Sequence, residues 1–278
     1  MARQALPMSN TVAVVTGGCG GIGLATARSL AARGVKVALG DLDGDLAVRR
    51  AAELGEGHFG GRVDVTDVES FSSFLDSVEG DLGPIDFLVN NAGVMLLGPL
   101  DEETAESTER TVQVNLIGVI NGTKLAMQRM KPRGRGRILN IASQAGKVGF
   151  PGGATYCATK FGVVGLCEAV RNELAGTGVG VTCVMPGPVR TELAAGIGQA
   201  KGVRWLTPFE VGEGIAEAIE FGQAEVWLPP VTRFLQSPTA ILPPSVRDRL
   251  LKAFGADAVL SGAVDESERS EYESRALE

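Results

Sequence analysis

Thr16-Gly-Gly-Cys-Gly-Gly-Ile-Gly23 follows the apolar run Val12-Ala-Val-Val15 and precedes a helical pattern over 22–33 that Gly34 stops. A strand, a glycine turn and a helix in that order present backbone amides at a helix N-terminus. An anion can approach them closely because no Cβ holds it away. The turn satisfies two glycine spacings: Gly18, Gly20 and Gly23 fit G-x-G-x-x-G, while Gly17, Gly21 and Gly23 fit G-x-x-x-G-x-G. Alone, such a turn is weak evidence, since turns use glycine anyway.

Beyond it the chain alternates apolar runs with helix-like segments, the pattern of a parallel sheet covered on both faces, and hence of an α/β fold. Strands are expected at 11–16, 35–40, 60–63, 85–90, 137–141, 179–185 and 226–228. Helices are expected at 22–33, 46–54, 103–130 with an interruption near Gly118 and Gly122, and from about Tyr156 to Leu174. Thr66-Asp-Val-Glu69 and Thr207-Pro-Phe-Glu210 read as capping boxes opening further helices. One domain over 1–230 is the reading, followed by an extension at 231–278. The extension is punctuated by Pro238, Pro243 and Pro244, with a short amphipathic helix expected at 245–254. Its end, 265–278, is rich in Glu and Ser. Composition predicts a mobile tail there, with a packed helix as the alternative.

Chemistry enters at Ser143-Gln-Ala-Gly-Lys-Val-Gly-Phe-Pro-Gly-Gly-Ala-Thr-Tyr-Cys-Ala-Thr-Lys160. On a helix, Tyr156 and Lys160 share one face a turn apart. A phenol ionises near pH 10, too high for a good base at neutrality. A neighbouring ammonium favours the phenolate and lowers that value. Such a tyrosine can exchange a proton with an alcohol or carbonyl oxygen, and Ser143 can hydrogen-bond the same oxygen. A Tyr-x-x-x-Lys pair by itself is more often an accident of helix composition.

Joint order and spacing change that judgement. The glycine turn, Asn90-Asn-Ala-Gly93, Asn115, Ser143 and Tyr156-x-x-x-Lys160 together closely resemble the short-chain dehydrogenase/reductase family over roughly residues 10–230. The resemblance implies a Rossmann-type doubly wound sheet of about seven strands and a nicotinamide dinucleotide cofactor. It favours the Gly17/Gly21/Gly23 spacing, with Cys19, Gly20 and Ile22 completing the turn. It puts Asp64 and Val65 beside the adenine, and Asn90, Asn91, Ala92 and Gly93 on the adenosine side of the cleft. Pro186-Gly-Pro-Val-Arg-Thr191 resembles the segment in which Gly187, the Val189 backbone and the Thr191 hydroxyl border the nicotinamide. Lys160 contacts the nicotinamide ribose as well as tuning Tyr156. Asn115 resembles the asparagine that holds a water in a proton relay.

Asp41 ends the second strand 18 residues beyond Gly23, where a carboxylate can accept both ribose hydroxyls and repel a 2′-phosphate. Leu42 follows it, and nothing basic adjoins it in sequence, so NAD is expected over NADP. The activity implied is NAD-dependent interconversion of a secondary alcohol and a ketone. Apolar residues at 95–97, Val148, Phe150, Leu193, Ile197, Val203, Trp205 and Leu206 favour a lipophilic substrate. Lys147, Arg190 or Lys201 would instead meet an anionic one. The loop 192–206, with three glycines, is expected to be a mobile lid.

Composition narrows the alternatives. The chain has 278 residues, a net charge of −7, four cysteines without a C-x-x-C pair and one histidine. The charge argues against nucleic-acid binding. A single histidine argues against a His-Cys zinc site, and no metal is expected. His58 is read as a surface residue at a strand start. Neither a signal peptide nor an apolar run of about 18 residues is present. With unpaired cysteines, that predicts a cytoplasmic protein. Homo-oligomerisation, as a tetramer or dimer, is implied by the resemblance. Three competing readings remain: a catalytically silent dinucleotide sensor or scaffold, an epimerase or dehydratase, and a membrane-surface role for the extension.

Overall fold

The computed structural model describes residues 8–198, 204–233 and 265–277, together with 243, 245, 246 and 249. Its centre is a seven-stranded, wholly parallel sheet. In chain order the strands are β1 (Val12–Thr16), β2 (Lys36–Asp41), β3 (Phe59–Arg62), β4 (Phe87–Asn90), β5 (Gly136–Ile141), β6 (Val179–Pro186) and β7 (Glu225–Leu228). Their spatial order is β3-β2-β1-β4-β5-β6-β7. The chain runs outward from β1 to β3 and then returns to β4 on the other side of β1. That reversal opens a crevice at the carboxyl ends of β1 and β4, where ligands bind in open α/β sheets.

Alternate side chains of each strand serve two cores. Val12, Val14, Ala38, Leu88 and Ile138 face α3 (Val68–Leu82), α5 (Gly118–Met130) and α6 (Ala154–Glu173). Ala13, Val15, Val37, Leu39, Val89 and Leu139 face α1 (Gly21–Ala31), α2 (Gly44–Glu53) and α7 (Pro208–Glu220). Between the cores, Asn90 Nδ2 donates to Asn140 Oδ1 at 2.8 Å, and Thr123 Oγ1 donates to the same oxygen at 3.3 Å. Gly122 leaves room for this network, since a Cβ there would lie 2.1 Å from Asn90 Oδ1.

Several local expectations need correction. The capping box at Thr207 is present, with both reciprocal bonds. At the other site Asp67, not Thr66, is the N-cap, and its carboxylate accepts from the Glu69 and Ser70 amides. Thr66 turns its hydroxyl to Asp64 Oδ1, 2.7 Å away. The long helix expected at 103–130 is α4 (Ala105–Val112), a π-helical turn at Gln113–Ile117, then α5. A π turn breaks the i→i−4 ladder and recurs at functional sites; this one carries Asn115. His58 is more than a surface residue, because Val37 N–H donates to its Nδ1 at 3.0 Å. Burial lowers its pKa from the ordinary value.

The largest departure is at the carboxy terminus. Residues 265–277 do not trail: α8 (Glu266–Leu277) lies against the loops after β4 and β6. Asp265 caps it through the Ser267 and Glu268 amides, and Arg275 occupies the last turn. The expected helix at 245–254 lies mostly outside the described residues.

Candidate active site and cofactor cradle

The glycine turn is shaped by backbone, which makes it intolerant of side chains. Gly17 and Gly21 hold φ of +61° and +51°, in the left-handed region that favours glycine. A Cβ on Gly17 would lie 2.9 Å from Ala92 Cα, and one on Gly23 would lie 2.1 Å from Gly17 O. Gly20 has nothing within 4 Å of its Cβ position. It is the N-cap of α1 with no side-chain cap, and no acidic residue stands in the first turn. An uncapped helix end on an open glycine surface fits an anionic pyrophosphate.

The neighbouring strand ends complete the cradle. Thr16 Oγ1 accepts the Asn91 and Ala92 amides, each at 3.1 Å. The Asn91 side chain donates to the Thr16 and Gly17 carbonyls at 2.9 and 3.0 Å. Asn90, expected at the cleft, is turned away into the buried Asn140 network. Asp41 Oδ2 accepts Cys19 N–H at 3.0 Å, so the carboxylate is fixed against the glycine turn. Leu42 is 43% exposed beyond it. Asp64 turns its Oδ1 to Thr66, and Val65 is buried against Gly118, so Val65 offers the cleft only its backbone.

One basic neighbour escaped the sequence reading. Arg62 on β3 is the register partner of Asp41, placed there by the β2–β3 pairing. Only sheet pairing reveals it, since the two lie 21 positions apart in sequence. Beyond β6, Gly187 N–H donates to Leu228 O at 2.8 Å, and Val189 is buried opposite Leu206. Thr191 meets the glycine turn, its Cγ2 3.2 Å from the Cβ position of Gly21.

The four candidate catalytic residues converge next to this cradle. Ser143, at the end of β5, caps a short 3-10 turn, with Ala145 N–H donating to its Oγ at 3.1 Å. That acceptance leaves the hydroxyl proton for the hydrogen bond with Tyr156. Tyr156 stands on α6 with only 7% exposure. Burial pushes its phenol above the ordinary range, a hydrogen bond to Ser143 pulls the other way, and the nearby Tyr272 adds to the rise. Lys160 Nζ lies 5.6 Å from the centre of the Tyr156 ring and donates to Ile141 O at 3.0 Å. Its burial lowers its own pKa to about 8. Burial thus raises the tyrosine pKa, opposite to the direction expected from a neighbouring ammonium.

Asn115 bonds to main chain. Its Oδ1 accepts Val94 N–H at 2.8 Å and its Nδ2 donates to Val94 O at 2.7 Å. The amide thus clamps the loop after β4 and does not point into open space. Gly93 lies between, its Cβ position 3.2 Å from Asn115 Oδ1 and 3.8 Å from Lys160 Nζ.

Of the expected substrate lining, Met95, Leu97, Phe150, Leu193 and Ile197 pack in one apolar cluster with the catalytic candidate Tyr156. The Phe150 and Tyr156 rings stand 6.3 Å apart. Leu206 belongs to the core instead. Trp205 lines a cavity of about 760 Å³ together with Thr191, Ile197, Arg190, Phe209 and Glu268 of α8. Val203 and Lys201 lie outside the described residues. The loop segment 193–196 is tied down by α8. Tyr272 accepts Met95 N–H at 3.1 Å, and Glu273 Oε1 accepts Leu97 N–H at 3.2 Å. Arg269 donates to the carbonyls of Leu193 and Met95. These contacts were not foreseen. Their signal was faint but present, since Arg269, Tyr272, Glu273 and Ala276 recur at helical spacing along one face.

Among the described residues no cluster of His, Cys, Asp or Glu is arranged to hold a metal. Among the same residues no helix is long and apolar enough to cross a membrane. A family model for short chain dehydrogenase matches residues 11–202. D-threitol dehydrogenase of Mycolicibacterium smegmatis is 39% identical over 189 residues, covering 67% of this chain and 73% of that protein. Two solved structures superpose on the fold. A Burkholderia phymatum short chain dehydrogenase/reductase in complex with NAD gives a TM-score of 0.75 at 27% identity, covering 81% of this chain and 91% of that one. An alcohol dehydrogenase from the archaeon Thermococcus sibiricus, complexed with 5-hydroxy-NADP, gives 0.72 at 30% identity, covering 78% and 95%. With its sheet, its glycine turn and its clustered Ser143, Tyr156 and Lys160, the chain belongs to the short-chain dehydrogenase family.

Proposed function

We propose that the protein is an NAD(H)-dependent oxidoreductase that interconverts a secondary alcohol and a ketone, with Tyr156 as the acid/base. The observation that carries this reading is the convergence of Ser143, Tyr156 and Lys160 beside the uncapped glycine turn. A bound nicotinamide would supply hydride acceptance or donation. Ser143, with its Oγ already accepting Ala145 N–H, directs its proton to the substrate oxygen. Tyr156 gives that oxygen a proton in ketone reduction and takes one in alcohol oxidation. Lys160 supplies a fixed positive charge behind the ring, favouring the phenolate whenever the site is polar enough to charge it. Asn115 holds the Val94 backbone, and so the wall against which Lys160 rests. Asp41, held by the Cys19 amide, supports NAD over NADP, while Arg62 beside it on β3 is the residue that would soften the preference. The apolar cluster of Met95, Leu97, Phe150, Leu193 and Ile197 supports a substrate with an apolar substituent.

The test is NADH formation at near-neutral and alkaline pH, over secondary alcohols from small polyols to long-chain and steroid alcohols. Tyr156→Phe should lower turnover by about 10²- to 10⁴-fold, the usual contribution of general acid–base catalysis, and leave NADH binding unchanged. Turnover by Tyr156→Phe near the wild-type rate would refute the assigned role. No turnover of any alcohol, with NADH still bound, would establish the silent sensor instead.

A further inference from the structure

The helix α8 lies against the loops that carry the apolar cluster around Tyr156. It touches both lips of the cleft: the loop after β4, through Met95 and Leu97, and the loop after β6, through Leu193, Ala195 and Gly196. One side chain joins the two. Arg269, 5% exposed, donates from Nη2 to Met95 O on one lip and from Nη1 to Leu193 O, at 3.0 Å, on the other. Its Nε reaches Glu273 Oε1 at 2.7 Å, and the same oxygen accepts Leu97 N–H. Further along, Arg110 Nε on α4 donates to Ala276 O at 3.0 Å, and Arg275 stands 3.7 Å from Glu192.

What α8 lacks is equally informative. Its sequence is charged on nearly every face, and among its described side chains only Arg269 and Ala276 are buried. A helix with so little apolar area is not held by the hydrophobic effect. It is held by side-chain bonds to loop main chain. Elements with few apolar contacts occupy the low-stability end of a fold and open locally without unfolding the rest. The loops it joins carry the apolar cluster in which Met95 and Tyr156 are buried and Leu97, Phe150, Leu193 and Ile197 half-buried.

We propose that α8 is a strap across the substrate chamber, clasped by Arg269, which sets the largest alcohol the closed chamber accepts and releases to admit it. This rests on the dehydrogenase reading above and deepens it. The residues named are positioning residues, because Arg269 acts through the two loops it joins. With the strap docked, the chamber is bounded by Met95, Leu97, Phe150, Leu193 and Ile197 and takes a compact, uncharged secondary alcohol. With the clasp removed, the outer wall is free to leave and longer alcohols enter.

The experiment uses full-length Arg269→Ala and Arg269→Lys with two readouts. The first is amide exchange at Met95 and Leu97, against Val14 and Leu88 in the sheet. The second is the ratio of kcat/KM for a bulky alcohol to that for a small one. In Arg269→Ala the two loop amides should exchange at least about tenfold faster with the sheet amides unchanged. The bulky-to-small ratio should rise by at least about tenfold through the KM of the bulky alcohol, with Arg269→Lys between. Unchanged loop exchange overturns the proposal, and so does faster exchange with an unmoved ratio. If Arg269→Ala speeds the sheet amides as well, Tyr272→Phe decides, since it removes only the acceptor of Met95 N–H. Faster Met95 exchange in that variant supports the strap, and none sinks it. A wild-type protein that turns over no alcohol would count against the dehydrogenase reading, and loop exchange would then decide the strap by itself.

Discussion

The two halves of the cleft are built on opposite principles. The cofactor half is close-packed main chain, pinned by short side chains at strand ends: Gly17 meets Ala92, Gly23 meets Gly17, and the Asp41 carboxylate holds the Cys19 amide. Its parts follow from strand ends that the sheet fixes in place, and at Gly17 and Gly23 there is no slack for an added carbon. The substrate half is side chain against main chain, assembled from two loops and a charged helix. Met95 and Tyr272 meet across 177 residues of sequence. Each such bond contributes on the order of 1 kcal/mol net, and somewhat more where a charge takes part. One half is a rigid cradle and the other a detachable wall, which is the division of labour a site needs if one ligand is common and the other selective.

Three substitutions press on that contrast. Gly23→Ala should have the largest effect, because its Cβ would collide with Gly17 O and with the Asn91 side chain that bonds the same carbonyl. Displacement on the order of 3 kcal/mol corresponds to NADH affinity weaker by about two orders of magnitude. Fluorescence titration reads this directly, and wild-type affinity would show that the cradle is not rigid. Asp41→Ala should be intermediate. Removing the carboxylate while leaving Arg62 beside the site should shift the NAD-to-NADP affinity ratio towards NADP by about tenfold or more. An unmoved ratio, measured with both reduced dinucleotides, would remove Asp41 from the selectivity argument. Glu273→Gln should be the mildest, since glutamine still accepts Leu97 N–H and only the charge pairing with Arg269 is lost. A rise of about threefold in the KM of a small alcohol with unchanged NADH affinity is expected. A loss of NADH affinity in this variant would mean that the halves are not independent.

Legibility in the sequence follows the same line. The seven strands, the two-sided cores and the glycine turn were readable because each depends on residues adjacent in sequence: period-two apolar runs, glycine spacing, Thr207 and Glu210 three apart. The candidate catalytic set was readable because Tyr156 and Lys160 are a helical turn apart and Ser143 ends a strand. Asn90 misled because a polar residue at a strand end serves a cleft or a buried network equally well, and the packing around Gly122 decides which. Asn115 sits in a π turn that no composition signals. The tail 265–277 read as mobile because helix propensity and charge say nothing about a docking site supplied by distant loops.

The chain by itself determined its sheet, its anion-binding turn and the candidate catalytic side chains, since local periodicity and steric demand specify these without reference to distant partners. Only the tertiary structure decided that Arg62 flanks Asp41, that Tyr156 is buried, and that a polar carboxy-terminal helix docks on the loops after β4 and β6. Those outcomes depend on strand register, burial and hydrogen bonds between segments far apart in sequence, quantities that come into being only when the chain is folded.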